Sequence, residues 1–108
     1  MTKTSMKDAL ADLRDGKPIL VHDFDDREDE VDMVYTASGM THEKVARLRN
    51  DAGGLVCVAV HPESARALGL GYLGDDLAEA GDKRLVDAEL GYDARSSFST
   101  WVNHRSTR

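Results

Sequence analysis

The ten residues Asp23-Phe24-Asp25-Asp26-Arg27-Glu28-Asp29-Glu30-Val31-Asp32 carry seven carboxylates and one arginine, and no apolar core can close over them. Two carboxylates about 4 to 5 Å apart repel by several kcal/mol at a surface-like dielectric, and the remedies are proton uptake, a paired arginine or a bound cation. The segment therefore faces water, a metal or a charged ligand. Pro18-Ile19-Leu20-Val21 before it and Met33-Val34-Tyr35 after it read as short apolar strands, so the acids sit on a loop joining two core strands, where function often collects. Such a charge run is also the ordinary composition of a solvated face. It is not an EF-hand: with Asp23 and Asp25 at positions 1 and 3, position 5 is Arg27, the turn glycine is Glu28 and the closing glutamate is Val34.

The rest of the composition bounds the function classes. A chain of 108 residues has room for one domain and a modest core. Its net charge of −6 and lack of a basic patch argue against nucleic acid as a partner. Fourteen of the twenty acidic residues are Asp, which suits a salt-rich cytoplasm and makes a halophilic origin the expectation. One cysteine excludes an internal disulfide and fits a reducing compartment. Residues Met1 to Lys7 lack the apolar run of a signal peptide, and no window reaches membrane-spanning length. A cytoplasmic protein without membrane contact is expected.

Helix and strand signals alternate along the chain. Ala9, Leu10 and Leu13 recur at helical spacing behind Ser5 as a cap, and Asp15-Gly16 stops the helix. A strand from Pro18 to Val21 leads to the acidic loop, and a second runs from Met33 to Ala37. His22 beside the loop reads as an ordinary surface or core histidine. Thr41 caps a helix with Val45, Ala46 and Leu48 on its apolar face, ending near Asn50. Gly53-Gly54 then turns the backbone into Leu55 to Val60, the strongest buried-strand signal in the chain. His61-Pro62-Glu63 opens a helix that ends at Gly69. From Gly69 to Gly91 the pattern is poor, with a short helix around Leu77 to Ala80 in a long connection. Phe98, Thr100 and Val102 alternate with polar neighbours as in a half-buried strand. The fold class expected is α+β, a mixed sheet flanked by helices.

Asp-x-Asp-Asp-Arg-Glu-x-Glu-x-Asp between two strands resembles the signature of the 3,4-dihydroxy-2-butanone 4-phosphate synthase family of riboflavin biosynthesis. Asp51-Ala52-Gly53-Gly54-Leu55-Val56-Cys57 is similar to that family's glycine-pair and cysteine strand. Ser96-Ser97-Phe98-Ser99 with Trp101-Val102-Asn103-His104-Arg105 is similar to a later strand of its archaeal branch. The resemblance covers the whole chain, residues 1–108, but only the N-terminal half of the family's domain, so a truncated fold is expected.

The resemblance implies a lyase that converts D-ribulose 5-phosphate to L-3,4-dihydroxy-2-butanone 4-phosphate and formate with Mg2+ or Mn2+, working as a homodimer. By position it makes Glu28 the metal ligand and a substrate contact, with Arg27 and Asp32 binding the sugar. It makes Asp23, Glu30 and Cys57 the catalytic candidates, Cys57 through substrate contact; Asp25, Asp26 and Asp29 stay as solvated charge. Bacterial members carry glycine where this chain has Val31, and archaeal members tolerate a β-branched residue there. The histidine that completes the metal site, a second glutamate and the phosphate-gripping residues belong to the second half, so this half alone is expected to be inactive. The alternative is a noncatalytic module that binds a divalent cation or a partner through the acidic loop.

Overall fold

The computed structural model describes residues 3–81 and 96–107. The chain divides into two units, one running to Val58 and one starting at Ala59.

The first unit opens with helix α1, Met6–Arg14. The Ser5 side chain accepts the Asp8 backbone N–H at 3.2 Å and donates its hydroxyl to the Asp8 carboxylate at 2.6 Å. A cap of this kind contributes about 1 kcal/mol, because it satisfies an N–H that the helix itself leaves open. At the other end Gly16 takes φ +75°. Its N–H reaches the Leu13 carbonyl at 3.1 Å and the Lys17 N–H reaches that of Asp12 at 2.9 Å. That pair of bonds is a Schellman closure, which needs a residue free to adopt the left-handed conformation. The chain is thereby turned back so that α1 lies against the first strand.

Strands β1, Ile19–His22, and β2, Val31–Val34, form an antiparallel hairpin with Ile19 opposite Val34, Leu20 opposite Met33, Val21 opposite Asp32 and His22 opposite Val31. The second strand begins two residues earlier than its apolar pattern predicts and ends before Tyr35. Pairing with the four residues of β1, rather than hydropathy, sets its limits. This hairpin is the only sheet among the described residues, so the structure is α+β, with antiparallel pairing alone in the described part. A 3-10 turn, Ala37–Gly39, leads to helix α2, His42–Asp51, whose N-cap Thr41 accepts the Lys44 N–H at 3.3 Å. The Lys44 ammonium donates to the Gly39 carbonyl at 2.6 Å and lies 5.5 Å from the Tyr35 ring centroid. The first contact holds α2 to the turn before it, and the second brings it beside Tyr35, next to the end of the hairpin remote from the acidic loop.

Leu55 to Val60 does not form the buried strand that its composition predicts. None of these residues joins a sheet, and Leu55, Val56 and Val58 are 78%, 45% and 63% exposed. A strand exists only through ladder bonds to a neighbour, and no described segment supplies them.

The second unit contains helix α3, Pro62–Ala67, and helix α4, Leu73–Glu79. His61 is the N-cap of α3: its Nδ1 accepts the Glu63 N–H at 3.3 Å, with Pro62 at the first helical position. Gly69, at φ +69°, closes α3 by the same Schellman pair, Gly69 N–H to Arg66 O at 3.1 Å and Leu70 N–H to Ala65 O at 2.9 Å. Helix α4 starts four residues before the predicted Leu77, and its first N–H, on Leu73, is satisfied by the Phe98 carbonyl at 2.9 Å. Around Phe98 to Val102 the expected strand is likewise absent, with Trp101 86% and Val102 70% exposed. The rest of the connection expected up to Gly91 lies outside the described residues. Among those described none is buried, so both units keep apolar faces in water.

Candidate active site

The loop from Asp23 to Glu30 is closed by its first and last residues. The Asp23 N–H donates to the Glu30 carbonyl at 3.3 Å, and Asp23 Oδ1 accepts the Glu30 N–H at 3.0 Å. Asp23 Oδ2 accepts the Glu28 N–H at 3.2 Å and Arg27 Nη1 at 3.0 Å. Within the ring a turn forms, with the Arg27 N–H on the Phe24 carbonyl at 3.0 Å. The same Arg27 Nη1 meets Glu28 Oε2 at 3.0 Å. One guanidinium therefore bridges two carboxylates, which is the paired-arginine remedy for their repulsion. Partial desolvation pushes the Asp23 carboxyl up, but the hydrogen bonds from Arg27 and from the Glu30 and Glu28 N–H groups outweigh it and hold the group below its ordinary value. Asp23 is ionised throughout the neutral range.

Sequence reasoning set His22 and Asp29 aside, yet they are joined. His22 Nε2 lies 2.9 Å from Asp29 Oδ1, and Asp29 adopts φ +53°, the one non-glycine residue with positive φ among those described. One ligand atom each from His22, Asp25 and Asp29 falls within 4.8 Å of the others, all three residues being exposed. No pattern in the sequence marks the pair; the hairpin register, with His22 opposite Val31, puts the imidazole at the mouth of the loop. Carboxylate oxygens suit a hard divalent cation, and an added imidazole favours manganese over magnesium. The donor set is compatible with a cation on that chemistry.

Of the residues singled out from the sequence, Asp23, Arg27, Glu28 and the backbone of Glu30 are brought into one network. Asp32 stands in β2 opposite Val21 and is exposed. Cys57 is an exposed free thiol. Among the described residues no hydrogen bond or ion pair joins the Asp32 or Cys57 side chain to the loop.

Residues 7–108 match the profile of the 3,4-dihydroxy-2-butanone 4-phosphate synthase family. The chain belongs to this family. A 3,4-dihydroxy-2-butanone 4-phosphate synthase of Archaeoglobus fulgidus is 45% identical over 107 residues, covering 94% of this chain and 45% of the relative. Those of Methanosarcina mazei and Methanothermobacter thermautotrophicus are 47% and 41% identical, covering 93% and 94% of this chain and 43% and 47% of the relatives. The synthase family is one of lyases in riboflavin biosynthesis, as the motifs imply. The chain spans a little under half the length of these curated relatives.

Proposed function

We propose that this chain supplies one side of the active site of a 3,4-dihydroxy-2-butanone 4-phosphate synthase, acting on D-ribulose 5-phosphate to give 3,4-dihydroxy-2-butanone 4-phosphate and formate. The observation that carries this reading is the family match over residues 7–108, which includes the acidic loop. Enolisation removes a proton from carbon beside a carbonyl, a step that needs a carboxylate base at hand and a counter-charge for the oxygens that become anionic. Glu30 is the proposed base, Arg27 and Asp32 bind the sugar, and Cys57 contacts it. Glu28 is the proposed ligand for Mg2+ or Mn2+, and such a cation would supply Lewis-acid stabilisation of the developing negative charge. Arg27 keeps the acids from repelling one another before substrate arrives.

The same reading takes 55–60 and 98–102 as strands of a mixed sheet completed by the remainder of the synthase. The exposure of Leu55, Val58, Trp101 and Val102 supports it, since apolar strands of this kind are stable only when covered. A homodimeric cytoplasmic enzyme is proposed, and the aspartate-rich composition suits a halophilic source. A second reading, a noncatalytic module that holds a divalent cation, is favoured by the grouping of His22, Asp25 and Asp29.

A chimera tests the two. Residues 7–108 replace the matching part of the Archaeoglobus fulgidus relative, and formate release from ribulose 5-phosphate is followed with and without Mg2+. The synthase reading expects Mg2+-dependent formate from the chimera, none from the 108-residue chain, and loss of release in the Glu28→Gln chimera. A folded chimera that binds Mn2+ yet releases no formate supports the module.

A further inference from the structure

Asp23 is bonded on three sides by its own loop. Of the roughly four acceptor positions of a carboxylate, one on Oδ1 is taken by the Glu30 N–H at 3.0 Å, and two on Oδ2 by the Glu28 N–H at 3.2 Å and Arg27 Nη1 at 3.0 Å. Its side chain is 18% exposed, the least of the ion-paired acids in the loop, against 33% for Glu28 and 67% for Asp29. Its backbone N–H also holds the Glu30 carbonyl. A group so engaged has little free basicity and little access to a substrate carbon. It does have control of the backbone at Glu28 and Glu30, two of the residues whose carboxylates the synthase reading requires.

We propose that Asp23 is a positioning residue, which fixes the backbone of Glu28 and Glu30 and aligns Arg27 with Glu28, and that it does not exchange protons with substrate. This rests on the reading of the loop as the synthase's cation and substrate site. Partners that orient a metal ligand typically change metal affinity by roughly ten- to a hundredfold when removed. Without Asp23 the Glu28 and Glu30 N–H groups turn to water, and the loop loses the ring that closes it.

The test uses the 108-residue chain with Asp23→Ala, Asp23→Asn and Glu28→Gln, and two readouts. The first is the amide proton shift of Glu28 and Glu30 in metal-free solution, which reports the hydrogen bonds directly. Asp23→Ala is expected to move both amides upfield, and Asp23→Asn, which keeps one acceptor oxygen, to preserve one of them. The second is Mn2+ affinity by electron paramagnetic resonance, expected to fall about tenfold or more in Asp23→Ala and less in Asp23→Asn. Unchanged amides in Asp23→Ala overturn the proposal, as do shifted amides with unchanged Mn2+ affinity. If the unsubstituted chain binds no Mn2+, the cation reading of the loop fails, and the amide shifts alone decide whether Asp23 is its anchor.

Discussion

His22 at the end of β1 and Asp29 near the end of the acidic loop are joined at 2.9 Å between Nε2 and Oδ1, and Asp29 holds a left-handed backbone at φ +53°. The two features oppose each other energetically. An exposed pair of this kind stabilises by about 0 to 1 kcal/mol, and a left-handed non-glycine residue costs about 1 to 2 kcal/mol, least for Asp and Asn. Asp29→Gly, which loses the pair and relieves the backbone, is expected near neutral. Asp29→Ala, which loses the pair and keeps the strain, is expected to cost about 1 kcal/mol more than the glycine variant, read from denaturant midpoints of the two proteins.

Glu28 and Asp29 are adjacent, and the proposed function treats them differently. Glu28→Gln is expected to weaken Mg2+ and Mn2+ binding by tenfold or more, while Asp29→Asn changes it by a few-fold at most. Titration of both variants with Mn2+ by electron paramagnetic resonance, and with Mg2+ as a competitor of bound Mn2+, checks this. Equal losses would shift the cation toward the group formed by His22, Asp25 and Asp29.

The bonds that Asp23 makes across the loop should persist into acid solution. Asp23 is held below its ordinary value of 3.8, so the stabilisation it contributes is fully present above 3.8 and is lost as pH falls through the lower folded value. Glu43 behaves alike: its own N–H and the Thr41 hydroxyl hold it below its ordinary 4.5. Lys17 is raised above 10.5, chiefly by its hydrogen bond to Asp12, and its contribution is lost only as pH rises through that raised value. The part of the Glu28 and Glu30 amide shifts that comes from the Asp23 carboxylate is therefore expected to be lost only as pH falls below 3.8.

Cys57 and Trp101, each the only residue of its type, report on the uncovered strands. In the 108-residue chain Cys57 should react fully with a thiol reagent without denaturant, and Trp101, 86% exposed, should emit like hydrated indole and be readily quenched by acrylamide. In the chimera with the Archaeoglobus fulgidus relative, Cys57 labelling is expected to slow and the emission to shift blue. No change in either probe would overturn the proposal that the rest of the synthase covers these segments.

The same exposed apolar residues make association the expected behaviour of the chain at high concentration. Sedimentation should show a mass that rises with concentration, and Leu55→Asp with Val58→Asp should reduce that rise. A monomer at all concentrations would count against it.

Helix ends were legible in the sequence because capping is chemistry between residues a few positions apart. Ser5, Thr41 and His61-Pro62 start α1, α2 and α3, and Gly16 and Gly69 stop α1 and α3, as their residue types require. The acidic loop was legible as well, since seven carboxylates cannot be buried and their order matches a family. Tertiary structure alone decided which carboxylate turns inward. The resemblance picks out Asp23 over Asp25 by position, but only the hairpin shows what Asp23 does there: it stands where the Glu28 and Glu30 N–H groups come within reach. Likewise Leu55 to Val60 carries every local mark of a buried strand and is none here, because a strand depends on hydrogen bonds to a neighbour that its own residues cannot provide.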